Sequence, residues 1–447
     1  AKNCPTLGPA STEASSKTRS PANISLLCIV VYGFKLYQYI KMRVLIVALA
    51  VLVLGSCSKS AELKTGTWRG VIDCQGHDLP FIFEVAKNGE QLNVHIKNGT
   101  EDLLLDEVSL FGDSVRMVMH IFDAEIRAKV NGDQLTGTFV KNYAPEANQP
   151  FRASFGEDFR FAKNTSEKTI DFSGKYQVEF ITQKGKAIPS VGIFEQRGNH
   201  VTGSFLRPTG DLRFLEGNVV NNQLLLSAFD GNHAYVFVIN QQGDSLKGDF
   251  YSGKLGYESL KAIKTDSAKM PDPESLTDLK GGYDKIDFSF PDLAKKLITP
   301  NDEKYKGKVL ILQILGSWCP NCLDETKFLV PWYNENSKRG VEIIGLCYER
   351  KDDFAYASER VRKMQEKLNI PYDLVIAGVN DNEKASQTLP MLSKVLGFPT
   401  TIIIGKDGKV KNIHTGFEGP GTGIYFELYK ERFNQVINEL LKEGVNN

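Results

Sequence analysis

The sequence has no excess of charge of either sign and no uninterrupted apolar run long enough to cross a bilayer. Its 54 lysines and arginines balance 54 aspartates and glutamates, so no net field favours nucleic acid or another polyanion as a partner. The chain has 447 residues, of which 41% are hydrophobic. It can therefore bury a sizeable core, and we predict more than one globular domain.

The most apolar segment, residues 44–54, lies near the N-terminus. It is too short for a transmembrane helix, which needs about 20 residues, but it has the length of the hydrophobic region of a signal peptide. It follows Met42-Arg43 and ends in Leu54-Gly55-Ser56-Cys57, which resembles the bacterial lipobox, where the cysteine thiol receives diacylglycerol. We therefore predict a lipoprotein signal peptide over residues 42–57, and lipidation of Cys57.

Residues 1–41 contain no methionine, begin with alanine and show no clear periodicity. We interpret them as an overextended reading frame upstream of a true start at Met42. The alternative is one longer membrane anchor that joins residues 24–39 to the later apolar run. That anchor would contain three charged residues, and charge inside a membrane-spanning helix is unfavourable. The three are Lys35, Lys41 and Arg43.

Seven cysteines are present, and the predicted processing removes Cys4 and Cys28 and lipidates Cys57. Four thiols then remain. Cys319 and Cys322 have redox spacing, whereas Cys74 and Cys347 lie in strand-like runs. We interpret the latter two as small buried hydrophobic residues.

Residues 58–264 contain short β-prone runs separated by turn signals such as Asn88-Gly89 and Gln242-Gly243-Asp244. Apolar and polar residues alternate in Phe81-Ile82-Phe83-Glu84-Val85, as expected of a strand with one face in water. This pattern predicts an all-β antiparallel barrel or sandwich domain, which we call the β region.

The β region contains an internal repeat. The segment Asp133-Gln134-Leu135-Thr136-Gly137-Thr138-Phe139 matches Asp244-Ser245-Leu246-Lys247-Gly248-Asp249-Phe250 at an offset of 111, and Trp68 matches Tyr176 at an offset of 108. We predict two copies of one meander, over about residues 65–141 and 172–255. The pattern leaves open whether they close one barrel or form two small ones.

Residues 265–284 are polar and contain proline, and are predicted to be an exposed linker. Beyond them, residues 285–447 show alternating strand and helix patterns, which predict an α/β domain. The predicted strands cover residues 309–315, 341–347, 372–376, 400–404 and 409–414. The predicted helices cover residues 320–337, 353–368, 383–395 and 423–443.

The apolar strand 309–315 leads into Trp318-Cys319-Pro320-Asn321-Cys322 and a predicted helix. Backbone N–H groups and the helix dipole favour a thiolate at Cys319, so we predict that Cys319 lies exposed at the helix start and attacks substrate disulfides. Cys322, one turn further on, would resolve the mixed disulfide. Pro320 presets the first helical turn.

A Cys-x-x-Cys pair can instead be half of a structural zinc site, which needs two further ligands. The nearest downstream candidates are Cys347 and His414, and neither belongs to a second ligand pair. We therefore predict neither a metal nor another cofactor.

Together, the motif at 318–322 and Gly397-Phe398-Pro399-Thr400 resemble the thioredoxin superfamily, and the context is similar to its TlpA/ResA-like, redoxin-type members that are tethered to membranes. The resemblance covers about residues 285–445 and implies a thioredoxin fold there. It also implies that Pro399 is cis and packs against the dithiol. The backbone of Phe398 would then dock an extended substrate segment beside Cys319.

The same resemblance implies a role for Glu325, because the tethered reductases place an acidic residue near the buried sulfur. A carboxylate there would take the proton of Cys322 during resolution. The alternative is that Glu325 and Asp324 only complement the positive end of the helix. Family members commonly carry asparagine where Gln313 stands in this chain.

The dithiol and the two resemblances together predict a lipid-anchored thiol-disulfide oxidoreductase, with reductase as the preferred direction, in a bacterial cell envelope and facing the periplasm. Its expected partners are protein disulfides and an upstream membrane electron donor, and not nucleic acid. A redoxin-type peroxidase is one alternative, although Gly316 stands where peroxiredoxins carry threonine. The other alternative is a binding protein whose β region captures a ligand or partner.

Overall fold

The computed structural model describes residues 39, 41–43, 62–166 and 170–443. The chain divides into two compact units, Ala1–Lys59 and Ser60–Asn447, and the described residues of the first unit have helical backbone. Cys57, most of the predicted signal peptide and nearly all of residues 1–41 lie outside the described residues, so those interpretations stay predictions.

No helix within the described ranges is long and apolar enough to cross a membrane.

The β region begins with a nine-stranded antiparallel sheet. Its strands are β1 (Gly66–Cys74), β2 (His77–Asn88), β3 (Gln91–Asn98), β4 (Glu101–Leu105), β5 (Val108–Phe111), β6 (Ser114–Val118), β7 (Ala124–Asn131), β8 (Gln134–Lys141) and β9 (Gln149–Phe155). The ladder runs from β4 through β3, β2 and β1 to β9, and then back through β8, β7 and β6 to β5. The predicted turn at Asn88-Gly89 joins β2 to β3, and Gly89 adopts a left-handed φ of 63°, which favours glycine.

The second sheet repeats this arrangement. Its strands are β10 (Gly174–Thr182), β11 (Ala187–Arg197), β12 (His200–Arg207), β13 (Gly210–Asp211), β14 (Leu215–Val220), β15 (Gln223–Phe229), β16 (Ala234–Gln242), β17 (Ser245–Ser252) and β18 (Gly256–Lys264). The ladder runs β11-β10-β18-β17-β16-β15-β14-β12-β13, and β11 also pairs with β12. This extra pairing closes eight strands of the second sheet into a barrel. The two repeats therefore form two separate sheets and do not share a single barrel.

The matched residues of the two repeats occupy matched places. Trp68 in β1 and Tyr176 in β10 are both buried, at 0% and 3% exposed. A Cβ atom added at Gly137 would lie 2.0 Å from the carbonyl oxygen of Arg127, and one added at Gly248 would lie 2.6 Å from that of Val238. The repeated glycine therefore allows the neighbouring strand to approach closely.

The segment predicted as an exposed linker is only partly exposed. Ala268 is 2% and Thr277 is 1% exposed. Thr415 donates a hydrogen bond of 2.9 Å from its hydroxyl to that of Thr277, and Leu279 forms an isolated β-bridge with Leu392. The prediction of an exposed linker therefore holds only in part. Ala268 packs against Val191 and Leu206 of the β region, and Thr277 is bonded to the domain that follows.

The C-terminal part has the α/β thioredoxin fold that the sequence predicts. Its elements are β19 (Phe290–Pro291), β20 (Leu297–Ile298), β21 (Val309–Leu315), α1 (Pro320–Asn336), β22 (Val341–Glu349), α2 (Phe354–Leu368), β23 (Asp373–Val379), α3 (Asn382–Thr388), β24 (Thr400–Ile404), β25 (Val410–Thr415) and α4 (Ile424–Lys442). The main sheet has the order β23-β22-β21-β24-β25. β21 pairs in parallel with β22 and antiparallel with β24, and every residue of this central strand is buried.

The helix predicted over residues 383–395 is shorter than expected. It spans Asn382–Thr388 and ends at Leu389, whose backbone leaves the helical region with φ −125° and ψ 66°. Leu389 precedes Pro390, and the residue before a proline is sterically driven out of the α conformation. The apolar residues beyond it pack as a loop.

Candidate active site

The two redox-spaced cysteines lie where the central strand gives way to α1. Cys319 is the N-cap of this helix, and Cys322 N lies 3.2 Å from its Sγ atom. Cys319 and Cys322 form a disulfide with a Cα–Cα distance of 5.2 Å. The helix N-terminus presents unpaired backbone N–H groups, which would stabilise a thiolate at Cys319 when the bond is reduced.

The loop before β24 faces this disulfide. The Phe398–Pro399 peptide bond is cis, as the resemblance to the thioredoxin superfamily implies. The carbonyl oxygen of Phe398 lies 3.6 Å from Cys319 Sγ. Gly416 N donates a hydrogen bond of 2.9 Å to Pro399 O, which ties the loop to the end of β25. A carbonyl group from a distant part of the chain is thus brought beside the first sulfur.

Trp318 and the preceding serine are held by β22. Trp318 Nε1 donates a hydrogen bond of 2.8 Å to Tyr348 O, and its ring packs edge-on against Phe398 with centroids 5.5 Å apart. Ser317 donates from its backbone N and from its hydroxyl to the carboxylate of Glu349, both at 2.8 Å. These contacts fix the backbone just before Cys319.

Glu349 is a site residue that sequence reasoning missed. It is 1% exposed, and burial raises its pKa to about 7, although the hydrogen bonds from Ser317 oppose the shift. The available signal was a carboxylate at the end of the apolar run 343–348, two residues after Cys347. Such a polar residue at the end of a buried strand needs a partner.

Glu325 lies behind the disulfide and is 0% exposed. It accepts hydrogen bonds from Thr401 Oγ1 at 2.6 Å, from Gln313 Nε2 at 2.8 Å and from the Tyr429 hydroxyl at 3.3 Å. Burial raises the pKa of Glu325, against the effect of the bonds from Thr401 and Gln313. Within the described part of the chain, its hydrogen bonds go to these three residues and none goes to Cys322.

The alternative interpretation of the two acidic residues is wrong, because neither lies in the first turn of α1. Glu325 bonds to the central sheet and α4, as described above. Asp324 forms a bidentate ion pair with Arg213 of the β region, at 2.8 and 2.9 Å. The two acidic residues thus make polar contacts in different directions, Asp324 towards the β region and Glu325 towards the central sheet and α4.

The expectation that Cys319 lies exposed at the helix start is also wrong. Cys319 is 5% and Cys322 is 0% exposed. Residues of the β region reach the positions around the disulfide: Asn232 Nδ2 donates to Trp318 O at 3.0 Å, and Asn321 Nδ2 donates to Asp211 O at 3.1 Å. No local sequence pattern predicts that residues of another domain bury the cysteine pair.

The remaining described cysteines do not join this site. Cys74 and Cys347 are buried and unpaired with each other, as predicted. Burial raises the pKa of Cys74 to about 12 and that of Cys347 well above its ordinary value, so neither thiol ionises readily. Across the described ranges, no group of three or more His, Cys, Asp and Glu side chains is placed to hold a metal ion.

Comparison with known proteins agrees with this geometry. A family model described as Redoxin matches residues 280–426. The thiol:disulfide interchange protein DsbE of Haemophilus influenzae is 32% identical over 160 residues, which are 36% of this chain and 72% of that protein. The chain belongs to the redoxin family of thiol-disulfide oxidoreductases. The β region of this redoxin lies outside the matched residues 280–426.

Two further relatives are matched over a smaller share of their own length, and one solved structure over a larger share. DsbE of Vibrio cholerae is 29% identical over 145 residues, 32% of this redoxin and 70% of the relative. The thiol-disulfide oxidoreductase ResA of Geobacillus thermodenitrificans is 31% identical over 112 residues, 25% of this redoxin and 57% of the relative. A solved thiol:disulfide interchange protein of Chlorobium tepidum matches 35% of this redoxin and 95% of its own chain, at 18% identity and a TM-score of 0.28.

Proposed function

We propose that this redoxin reduces protein disulfides in a bacterial cell envelope, through Cys319 and Cys322. The observation that carries the proposal is the Cys319–Cys322 disulfide at a helix N-terminus, with the carbonyl oxygen of Phe398 3.6 Å from the first sulfur. A carbonyl in that position suits an extended substrate segment, whose backbone N–H groups need acceptors.

The reaction takes place in two exchanges. The Cys319 thiolate attacks one sulfur of the substrate disulfide, which forms a mixed disulfide and releases the other substrate sulfur as a thiolate. Cys322, as a thiolate, then attacks Cys319 Sγ and releases the second substrate sulfur. The substrate gains two electrons and its thiolates take up two protons, while the enzyme is left with the Cys319–Cys322 disulfide. A membrane electron donor would reduce it again.

Supporting roles follow from the contacts. Trp318 and Pro320 shape the helix start, and Phe398 with Pro399 forms the docking edge for substrate. Glu325 would exchange a proton with Cys322 through a rearranged side chain or a water, since its hydrogen bonds in the disulfide state go to other residues. Burial raises the pKa of Glu325, so its protonated form is favoured more than that of an exposed glutamate.

The proposal includes the location of the protein. The segment 42–57 would direct export, and Cys57 would carry the lipid that tethers the redoxin at the membrane, facing the periplasm. Mass spectrometry of the N-terminal peptide after expression in bacteria tests this directly. A Cys57→Ser variant should lack the lipid and appear in the soluble fraction.

The central experiment is reduction of insulin disulfides by the purified protein with a dithiol as the electron source. We expect Cys319→Ser to abolish turnover and Cys322→Ser to stop it after the mixed disulfide. Equilibration with glutathione buffers tests whether the protein acts as a reductant or an oxidant, because the reduction potentials of thiol-disulfide proteins span about −270 to about −120 mV. A reduction potential near the upper value would show that the protein is an oxidant.

A further inference from the structure

The second repeat of the β region places a hairpin over the dithiol. Strand β12 turns at Pro208 and Thr209 into β13, and we call residues 207–213 the cap loop. The side chain of Thr209 packs against Gly397, where an added Cβ atom would lie 2.7 Å from Thr209 Cγ2. The tip of the cap loop therefore lies directly beside Phe398 and Pro399.

The same loop also contacts the start of α1. Its Asp211 carbonyl accepts a hydrogen bond from Asn321, which stands between the two cysteines. The Asp211 carboxylate also accepts a hydrogen bond of 2.6 Å from Gly419 N, so the loop is tied to the segment that follows β25 as well. Cys319 retains 5% exposure beneath this cover.

A buried ion cluster anchors the cap loop. Arg213 is 2% exposed and pairs with Asp324 of α1, with Asp230 of the second repeat at 3.1 Å and with Glu101 of the first repeat at 2.5 Å. Burial lowers the pKa of Arg213, but these carboxylates outweigh burial and raise it well above its usual value. One guanidinium thus joins both repeats to the redox helix.

We propose that the cap loop is a gate that determines which disulfides reach Cys319, and that the Arg213–Asp324 pair holds it closed. This inference rests on the proposed function, because it concerns the access of protein disulfides to that same dithiol. In the closed state, the protein's own Thr209 packs on Gly397, next to the edge at Phe398 and Pro399. A folded or extended protein substrate can dock there only after the cap loop has moved away, whereas a small disulfide needs a smaller opening.

Breaking the anchor tests the gate. Arg213→Met removes the guanidinium, and Asp324→Asn is a milder variant that leaves Arg213 paired with Asp230 and Glu101. Arg160→Met is the matched control: Arg160 is 3% exposed and bonds to Glu216, Pro80 O and Lys97 O within the β region. It is a similarly buried arginine, and its other side-chain hydrogen bonds, to Ser227 and Asn98, also stay within the β region.

The measurement is the rate of alkylation of Cys319 in the reduced full chain, read by peptide mass. Iodoacetamide serves as the small reagent and a polyethylene-glycol maleimide as the large one. The ratio of the large-reagent rate to the small-reagent rate removes any change in thiolate reactivity that the altered charges cause. If the gate excludes the large reagent for nine-tenths of the time or more and lets the small one pass, opening it raises this ratio at least about tenfold.

We expect that rise in Arg213→Met, a smaller rise in Asp324→Asn and no change in Arg160→Met. Insulin turnover should rise in the same order, relative to turnover of hydroxyethyl disulfide. An unchanged ratio in a folded Arg213→Met or Asp324→Asn protein would overturn the gate, and so would an equal rise in Arg160→Met, which would mean general loosening. If the wild type reduces no disulfide at all, the proposed function fails, but the alkylation ratio still decides on the gate.

Discussion

Glu349→Gln is expected to remove a pH-dependent loss of stability. The Glu349 carboxylate is 1% exposed and receives both of its hydrogen bonds from Ser317, next to Trp318 and Cys319. Glutamine keeps the size of the side chain and one carbonyl acceptor, but it cannot ionise. The variant therefore isolates the effect of burying a negative charge beside the dithiol.

The direction of this change in stability with pH follows from the raised pKa of Glu349, which lies near 7 in the folded protein against an ordinary 4.5. Between these two values the folded state binds more protons than the unfolded state, so the free energy of unfolding falls as the pH rises. A pKa difference of this size corresponds to about 3 kcal/mol, at about 1.4 kcal/mol for each unit. That stability is fully present below pH 4.5 and is lost by the time the pH passes 7.

The assay is urea unfolding of the oxidised wild type and variant at several pH values from 4 to 8. Near pH 4 the free energies of unfolding of wild type and variant should differ by at most about 1 kcal/mol, the scale of one hydrogen bond. Near pH 8 the variant should be more stable by about 3 kcal/mol. Ser317→Ala provides a second check, because removing a bond that lowers the pKa of Glu349 should move the midpoint of the pH effect upward. A difference between wild type and Glu349→Gln that does not vary with pH would refute the reasoning.

Three further predictions concern the dithiol and the β region. Cys322→Ser should accumulate mixed disulfides with client proteins, seen as reducible adducts on gels, and Cys319→Ser should accumulate none. Phe237→Ala should lower the free energy of unfolding by about 3–5 kcal/mol in urea titrations, because this ring is 0% exposed and stacks on Phe250 at 4.4 Å. Gly248→Ala and the matching Gly137→Ala should each lower it by about 1–3 kcal/mol, since the added methyl group meets a neighbouring strand, and a neutral result at either site would contradict the close approach.

Local sequence patterns predicted much of the fold. Alternating polar and apolar residues predicted the β region, and the repeated Asp133 and Asp244 segments predicted two related meanders. The run 309–315, which is apolar except for Gln313, predicted the strand that leads into the cysteine pair. These features depend on neighbours in sequence, so they are readable without coordinates. The helix predicted over 383–395 ends at Thr388, because Pro390 drives Leu389 out of the α conformation.

The sequence by itself determined the chemistry: a Cys-x-x-Cys pair that opens a helix and a Phe398–Pro399 step before a later strand. The tertiary structure alone decided that two repeats make two sheets, that Glu349 holds Ser317, and that Arg213 joins Asp324. The physical reason is distance along the chain. Arg213 and Asp324 are 111 positions apart, and no local periodicity encodes a buried charge pair, which forms only where packed domains exclude water.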